Sequence, residues 1–378
     1  MKPLHAMWQG LPPALRFARA WNTPSAEVAS RRVSLPVPDD VSGSPAPVPG
    51  TVVAPAGSRG TRGWVVLHGL TRKGSDHTEL VRFTNALAST GARVVVPEIR
   101  EWVDLRFAPE RANTVIRAAV EWMDEHPDTL DGGVILVGFS FGGPQALLAA
   151  AAPELERKLR GVVSWGGYAE LERVVRFSFT GEHEWQGRTD HIPPDPYVRW
   201  IIGGNCLPLR SEEAMDRRVA DALLRLAREA GDRGVRSADP VYDPVKRELR
   251  ETLPTDDRAL FDLFAPPTDR EPDREAAGRL MVELVPVIRR RIPMLDPVPL
   301  IESIPSPVRL LHGRADDLIP FTETLRLEEA LGSRVADLQT RITGLFSHSG
   351  EDGNAGITAR TREGLRFLAA LRGIFELA

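Results

Sequence analysis

The chain has 378 residues, 42% of them hydrophobic and 26% charged, enough for one large core or a core with a smaller appended part. A formal net charge of −4, with both signs interspersed, excludes the general electrostatic pull of a nucleic-acid binder, so no nucleic-acid partner is expected. A single cysteine excludes an intramolecular disulfide and any multi-cysteine zinc site, and Cys206 is expected to be an ordinary buried residue.

Residues 1–30 lack the charged start, apolar stretch and cleavage-like site of a signal peptide. No run approaches the ~20 apolar residues that span a bilayer. A cytoplasmic location without a membrane partner is therefore expected. Inside this arm, residues 11–21 mix Arg16 and Arg19 with Leu15 and Phe17, the pattern of a short amphipathic helix packed on the body.

Residues 32–37 and 50–54 read as two short strands joined by a Pro/Gly/Ser stretch at 38–49. Strand and helix then alternate. Residues 64–67 are a short apolar strand ending at His68-Gly69. Asp76 with Glu79 signals a helix start, Leu80, Phe83 and Leu87 follow at helical spacing, and Gly91 is the stop. Strands at 93–96, 134–137 and 161–165 are separated by helices at 112–125 and 142–152. This order predicts an α/β fold, a mostly parallel central sheet with helices on both faces.

Alternation stops after residue 170. Residues 171–303 are rich in proline and charge, with a helix near 211–230 stopped by Gly231 and another near 274–291 kinked or restarted at Pro286. The block reads as an inserted, mainly helical cap. The sheet pattern returns with a strand at 308–311, a helix at 322–331, an alternating strand at 336–343 and a last helix at about 359–375. The expected organisation is thus an arm (1–30), a core (31–170), a cap or lid (171–303) and the rest of the core (304–378).

Gly138-Phe139-Ser140-Phe141-Gly142 lies directly between a strand and a helix. A serine on such a turn is held in a strained conformation that only small neighbours tolerate, and the helix N-terminus behind it stabilises negative charge. A serine hydroxyl needs a base, and His348 sits in the loop after the last expected strand. The base needs an acid to hold its tautomer. Asp316 is the first acidic residue past the strand at 308–311, with Asp317 as its close rival. A tetrahedral intermediate needs two amide donors. Phe141, just after the serine, provides one, and Leu70, in the loop after His68-Gly69, is the choice for the other. His68 itself is expected to be a structural hydrogen-bonding residue. All four features fall at carboxyl ends of expected strands, where open α/β sheets place their sites.

On these residues the sequence resembles the α/β-hydrolase family over 32–168 and 305–375. The matching pieces are His68-Gly69, the elbow at 138–142, Gly313-x-x-Asp316-x-x-Ile319-Pro320 and His348, in the family's order of nucleophile, acid and base. The family's acid-loop pattern puts the acid at the first aspartate, Asp316. The Phe346-Ser347-His348-Ser349 loop departs from the family's common Gly-His form. The family often inserts a cap where alternation breaks here.

The expected activity is hydrolysis of a carboxylic ester through an acyl-enzyme, on a small-molecule acyl substrate and without metal or organic cofactor. Trp165, Tyr168, Phe177, Trp185 and Trp200 are candidate substrate-pocket walls, with plain packing of cap on core as their alternative role. A thioesterase, lactonase, peptidase or carbon–carbon bond hydrolase would use the same triad, and a catalytically silent binding scaffold is the non-enzymatic alternative. A cap laced with Asp, Glu and Arg argues against work at a lipid surface. The His183/His191 pair matches no metal-ligand spacing. Oligomeric state is open between a monomer and a homo-oligomer.

Overall fold

Valine-rich runs too short for a helix form the middle of the sheet, and their alternating side chains divide the molecule into two faces. The computed structural model describes residues 11–23, 27–38, 45–57, 59–211, 213–344 and 357–378. Residues 1–10 and the loop carrying His348 lie outside them.

The strands are β1 (Val28–Pro38), β2 (Pro45–Pro55), β3 (Gly63–Leu67), β4 (Arg93–Pro97), β5 (Val134–Phe139), β6 (Leu159–Trp165), a hairpin of β7 (Glu182–Trp185) and β8 (Arg188–His191), then β9 (Val308–Gly313) and β10 (Leu338–Thr343). All but the hairpin join one eight-stranded sheet of order β1-β2-β4-β3-β5-β6-β9-β10. β1 pairs antiparallel with β2, and β2 antiparallel with β4; every later pairing is parallel. β1 and β2 are each 11 residues long, well beyond the expected 32–37 and 50–54. Their prolines sit at intervals in a two-stranded ribbon at the sheet's edge, where a missing ladder donor is tolerated.

The helices are α1 (Leu11–Asn22), α2 (Thr78–Ala88), the single turn α3 (Arg100–Val103), α4 (Pro109–Asp124), α5 (Gly142–Ala150), α6 (Leu171–Thr180), α7 (Tyr197–Arg210), α8 (Ala214–Arg233), α9 (Asp243–Thr252), α10 (Arg258–Phe264), α11 (Arg274–Arg291), α12 (Thr322–Leu331) and α13 (Ile357–Phe375). Period-two alternation sends Trp64 and Val66 of β3 to one face and Val65 and Leu67 to the other. On the first face they meet Phe17 of α1, Phe83 of α2 and Leu371 of α13. On the second they join α4, α5 and the apolar sides of α7, α8 and α11 in one continuous cluster. α6 to α11 and the hairpin make a mainly helical cap between β6 and β9.

Two cap expectations change. α8 does not stop at Gly231: it runs to Arg233 and ends at Gly234, which takes the left-handed conformation at φ 68°. Gly231 is small for a different reason, since a Cβ there would lie 2.5 Å from Arg72 Cγ. α11 passes Pro286 without restarting. Both Pro286 and Val282, whose carbonyl loses its donor, lie on the solvent side, so water can satisfy that carbonyl. Among the described residues no helix is long and apolar enough to cross a membrane.

Candidate active site

β5 delivers Ser140 at its carboxyl end, and the backbone turns there sharply enough to put the serine at φ 51°. A left-handed serine is strained, and such strain concentrates at functional sites. The surroundings over-determine it. The Ser140 amide donates to the Trp165 carbonyl (2.8 Å), and the Ser140 carbonyl accepts from the Gly143 amide (2.9 Å). A Cβ on Gly138 would lie 2.1 Å from the Gly142 carbonyl oxygen, so the strand can meet the helix this closely only with glycine there.

The loop after β3 lies against this turn. A Cβ on Gly69 would be 3.2 Å from Ser140 Cβ and 3.7 Å from its Oγ. Leu70 follows immediately. Among the described residues no backbone carbonyl accepts from the amide of Leu70 or from that of Phe141. His68 holds the loop from inside: it is buried, its Nδ1 is 2.7 Å from the Gly69 carbonyl and its Nε2 is 3.2 Å from the Ile99 amide nitrogen. The Ile99 N–H must donate, so Nε2 is the acceptor and Nδ1–H donates to Gly69. Burial pushes the His68 pKa down to about 4, so this ring is neutral at ordinary pH. Its structural role agrees with the expectation from sequence. Trp102 stands edge-on to both His68 (5.5 Å) and Phe141 (5.4 Å), joining the two loops through one ring.

β9 ends at the loop that carries Asp316 and Asp317. Asp316 is buried, and its Oδ1 accepts from the amides of Leu318 and Ile319, each at 3.0 Å. Its Oδ2 lies 3.3 Å from His312 Nε2. His312 is itself fully buried between the Ile319 carbonyl (2.9 Å, at Nε2) and the Thr324 hydroxyl (2.7 Å, at Nδ1). The sequence analysis gives His312 no part; the available signal is a histidine near the end of a buried strand, four residues before Asp316. Asp317 points elsewhere. Its Oδ2 pairs with Arg236 of the cap at 2.7 Å, and its carbonyl accepts from the Asp195 amide at 2.9 Å. The two rival aspartates thus have different surroundings: one bound to its own loop, the other to the cap.

His348 falls outside the described residues. β10, which precedes its loop, lies in parallel register beside β9, with Thr343 opposite Gly313. The carboxyl end of β10 therefore lies at the same edge of the sheet as those of β3, β5 and β9.

The five aromatics separate. Tyr168 is buried with its ring 6.5 Å from that of Phe141, and among the described residues its hydroxyl has no hydrogen-bond partner. Trp165 touches Ser140 through its backbone, but its ring packs on the opposite face with Phe83 and Phe139. Phe177 and Trp200 are fully buried inside the cap, the latter donating from Nε1 to the Phe264 carbonyl at 3.1 Å. Trp185 lies on the hairpin under the Arg326 guanidinium, 5.7 Å from the ring centre. Cys206 is buried, and burial raises its thiol pKa.

No family model matches the sequence, and no curated protein does either. Solved structures do. A putative hydrolase from Legionella pneumophila superposes with a TM-score of 0.54 at 14% identity, over 96% of this chain and 93% of that one. This is the α/β-hydrolase fold. Two further similar structures are brefeldin A esterase, a bacterial homologue of human hormone-sensitive lipase (TM-score 0.47, 17% identity, 98% and 85% of the chains), and a hyperthermophilic esterase from Pyrobaculum calidifontis (0.48, 16%, 100% and 93%). In this fold Ser140 lies at the turn between β5 and α5, Leu70 in the loop after β3 and Asp316 in the loop after β9.

Proposed function

We propose that the chain is a serine hydrolase that cleaves a carboxylic ester of a small acyl substrate. The observation that carries this is Ser140 itself, left-handed at the end of β5 with the backbone of Gly69 against it. Such strain has no packing benefit, since a glycine would take the turn at no cost.

In this reading Ser140 Oγ attacks the acyl carbonyl carbon while His348 takes its proton. The tetrahedral oxyanion accepts from the amides of Leu70 and Phe141. His348 returns the proton to the leaving alkoxide as the C–O bond breaks, giving the acyl-enzyme and free alcohol. Water, deprotonated by His348, then repeats the sequence and releases the acid. Asp316 holds the imidazole and stabilises its charged form. The engagement of Asp317 with Arg236 and Asp195 supports Asp316 as the acid. In this reading the cap roofs the acyl pocket and Tyr168 lines it, supported by its ring lying 6.5 Å from that of Phe141.

A fluorophosphonate probe with a p-nitrophenyl ester assay tests the reading. The native chain should label once and hydrolyse the ester, Ser140→Ala should do neither, and activity should fall as acid protonates His348. Absence of labelling in folded protein would favour a silent scaffold, and hydrolysis retained by Ser140→Ala would end the proposal.

A further inference from the structure

Arg72 lies two residues past Leu70, and its side chain crosses from the oxyanion loop to the cap. Nε is 3.0 Å from Asp232 of α8, while Nη1 is 2.9 Å from the Val103 carbonyl and 3.2 Å from Asp104. One guanidinium thus ties together the loop after β3, the segment after β4 and the last turn of α8. The fork geometry suits this, because its donors are fixed in one plane. α8 makes room for it at Gly231, where a Cβ would lie 2.5 Å from Arg72 Cγ and 3.0 Å from the Tyr197 hydroxyl.

The segment after β4 is braced by the cap at two more points. Arg228 of α8 donates to the Asp104 carbonyl at 3.3 Å. Asn205 of α7 accepts from the Phe107 amide (3.2 Å) and donates to the Leu105 carbonyl (2.8 Å). That segment needs bracing, since Leu105 and Ala108 both have positive φ, at 60° and 36°. It also carries Trp102, whose Nε1 donates to the Phe107 carbonyl and whose ring stands between His68 and Phe141.

We propose that Arg72 is a positioning residue through which the cap sets the oxyanion loop: α8, by way of Asp232 and the gap at Gly231, holds Leu70 at the distance from Ser140 that the tetrahedral intermediate requires. The inference rests on the serine-hydrolase reading and deepens it. The cap is then part of the catalytic apparatus and more than a roof for the substrate. Asp104 and Asp232 are half-exposed, so these ion pairs add little to overall stability. What they control is placement, and a small misplacement of an oxyanion donor costs rate without costing substrate affinity.

Steady-state kinetics on a p-nitrophenyl ester, with inhibition by an alkylboronic acid that forms a tetrahedral adduct, test this in Arg72→Met, Asp232→Asn, Gly231→Ala and the double variant Arg72→Met/Asp232→Asn. Asp232→Asn and Gly231→Ala should each lower kcat about tenfold with KM within about twofold, and weaken boronate inhibition by the same factor as kcat. The double variant should be no worse than Arg72→Met, because both act on one contact. Arg225→Ala, which removes an exposed α8–α9 ion pair with Glu248, should behave as the native chain. Unchanged kcat in Asp232→Asn and Gly231→Ala, or a loss confined to KM, overturns the proposal. So does a loss of kcat that only tracks loss of folded protein by circular dichroism. Ser140→Ala separates the two levels: if it stays active the hydrolase reading itself falls, whereas silence of Ser140→Ala beside normal latch variants removes the latch alone.

Discussion

Ser140 and His68 show how single residues are set by what surrounds them. The serine's backbone is fixed by two hydrogen bonds and by glycines that let strand, helix and neighbouring loop come within contact. His68 matters for what it does not do. Its ring is neutral, and protonation would remove the acceptor for the Ile99 amide. A histidine whose folded pKa of about 4 lies below its unfolded value near 6.5 leaves the unfolded state holding more protons between those limits. Its contribution is therefore fully present above pH 6.5, is lost as pH falls toward 4, and amounts to about 3 kcal/mol across that window. His68→Gln keeps an acceptor without the titration. Urea denaturation at pH 7.0 and 5.0 should show the native chain losing more stability on acidification than the variant; equal losses would show that His68 does not carry the effect.

At the scale of elements, the junction of the cap with the end of β6 is held by two buried carboxylates: Asp296, which accepts from the Leu171 amide at 2.7 Å, and Glu323. Glu323, in the first turn of α12, accepts from the amides of Ala169 and Glu170 at 3.0 Å each and pairs with Arg173 at 2.6 Å. Burial pushes its pKa up, against the pull of Arg173. The chain leaves β6 and enters α6 over this group, so the carboxylate replaces backbone partners that the irregular segment cannot find for itself. Glu323→Ala strands the buried Ala169 amide and removes a partner from the part-buried Glu170 amide and Arg173 guanidinium, and should cost about 2 kcal/mol. Glu323→Gln retains an oxygen for the amides and should cost less. Thermal melts of the two variants check the order, and a Glu323→Ala protein as stable as the native chain would refute it. The sequence shows a glutamate in the first turn of a helix, which normally means only a favourable helix dipole; its buried partners lie about 150 residues away.

At the scale of the molecule, cap and sheet are not separate cores. The face of the sheet that carries Val65, Leu136 and Val162 shares one hydrophobic cluster with Trp200, Leu223 and Leu284 of the cap. Two units joined by that much buried apolar surface should unfold together. Calorimetry should give one transition with matching calorimetric and van't Hoff enthalpies, and two resolved transitions would show independent domains. Replacing residues 171–303 by a short linker would expose this face, so such a chain should not yield a folded core.

Much of this was legible before any fold was known, because it depends on local rules. Apolar runs of strand length, the glycines of the elbow and the helix at 322–331 are properties of a few adjacent residues. The order of Ser140 and Asp316 at strand ends follows from them, and with it the α/β architecture. The stop expected at Gly231 and the restart offered for Pro286 do not occur, for one reason: each is a reading of local punctuation. In the folded chain Gly231 is small to let an arginine from the core pass, and Pro286 faces solvent where its lost hydrogen bond costs little. For Trp165, Phe177 and Trp200 the sequence offers both a pocket wall and plain packing, and contacts across the sheet and within the cap decide where each ring lies. Sequence by itself determined which residues could carry the chemistry, since strand ends and turns are written in nearest neighbours. What surrounds them, such as Arg236 on Asp317 and Arg72 between loop and cap, was decided by contacts between segments far apart in the chain, and only tertiary structure brings those together.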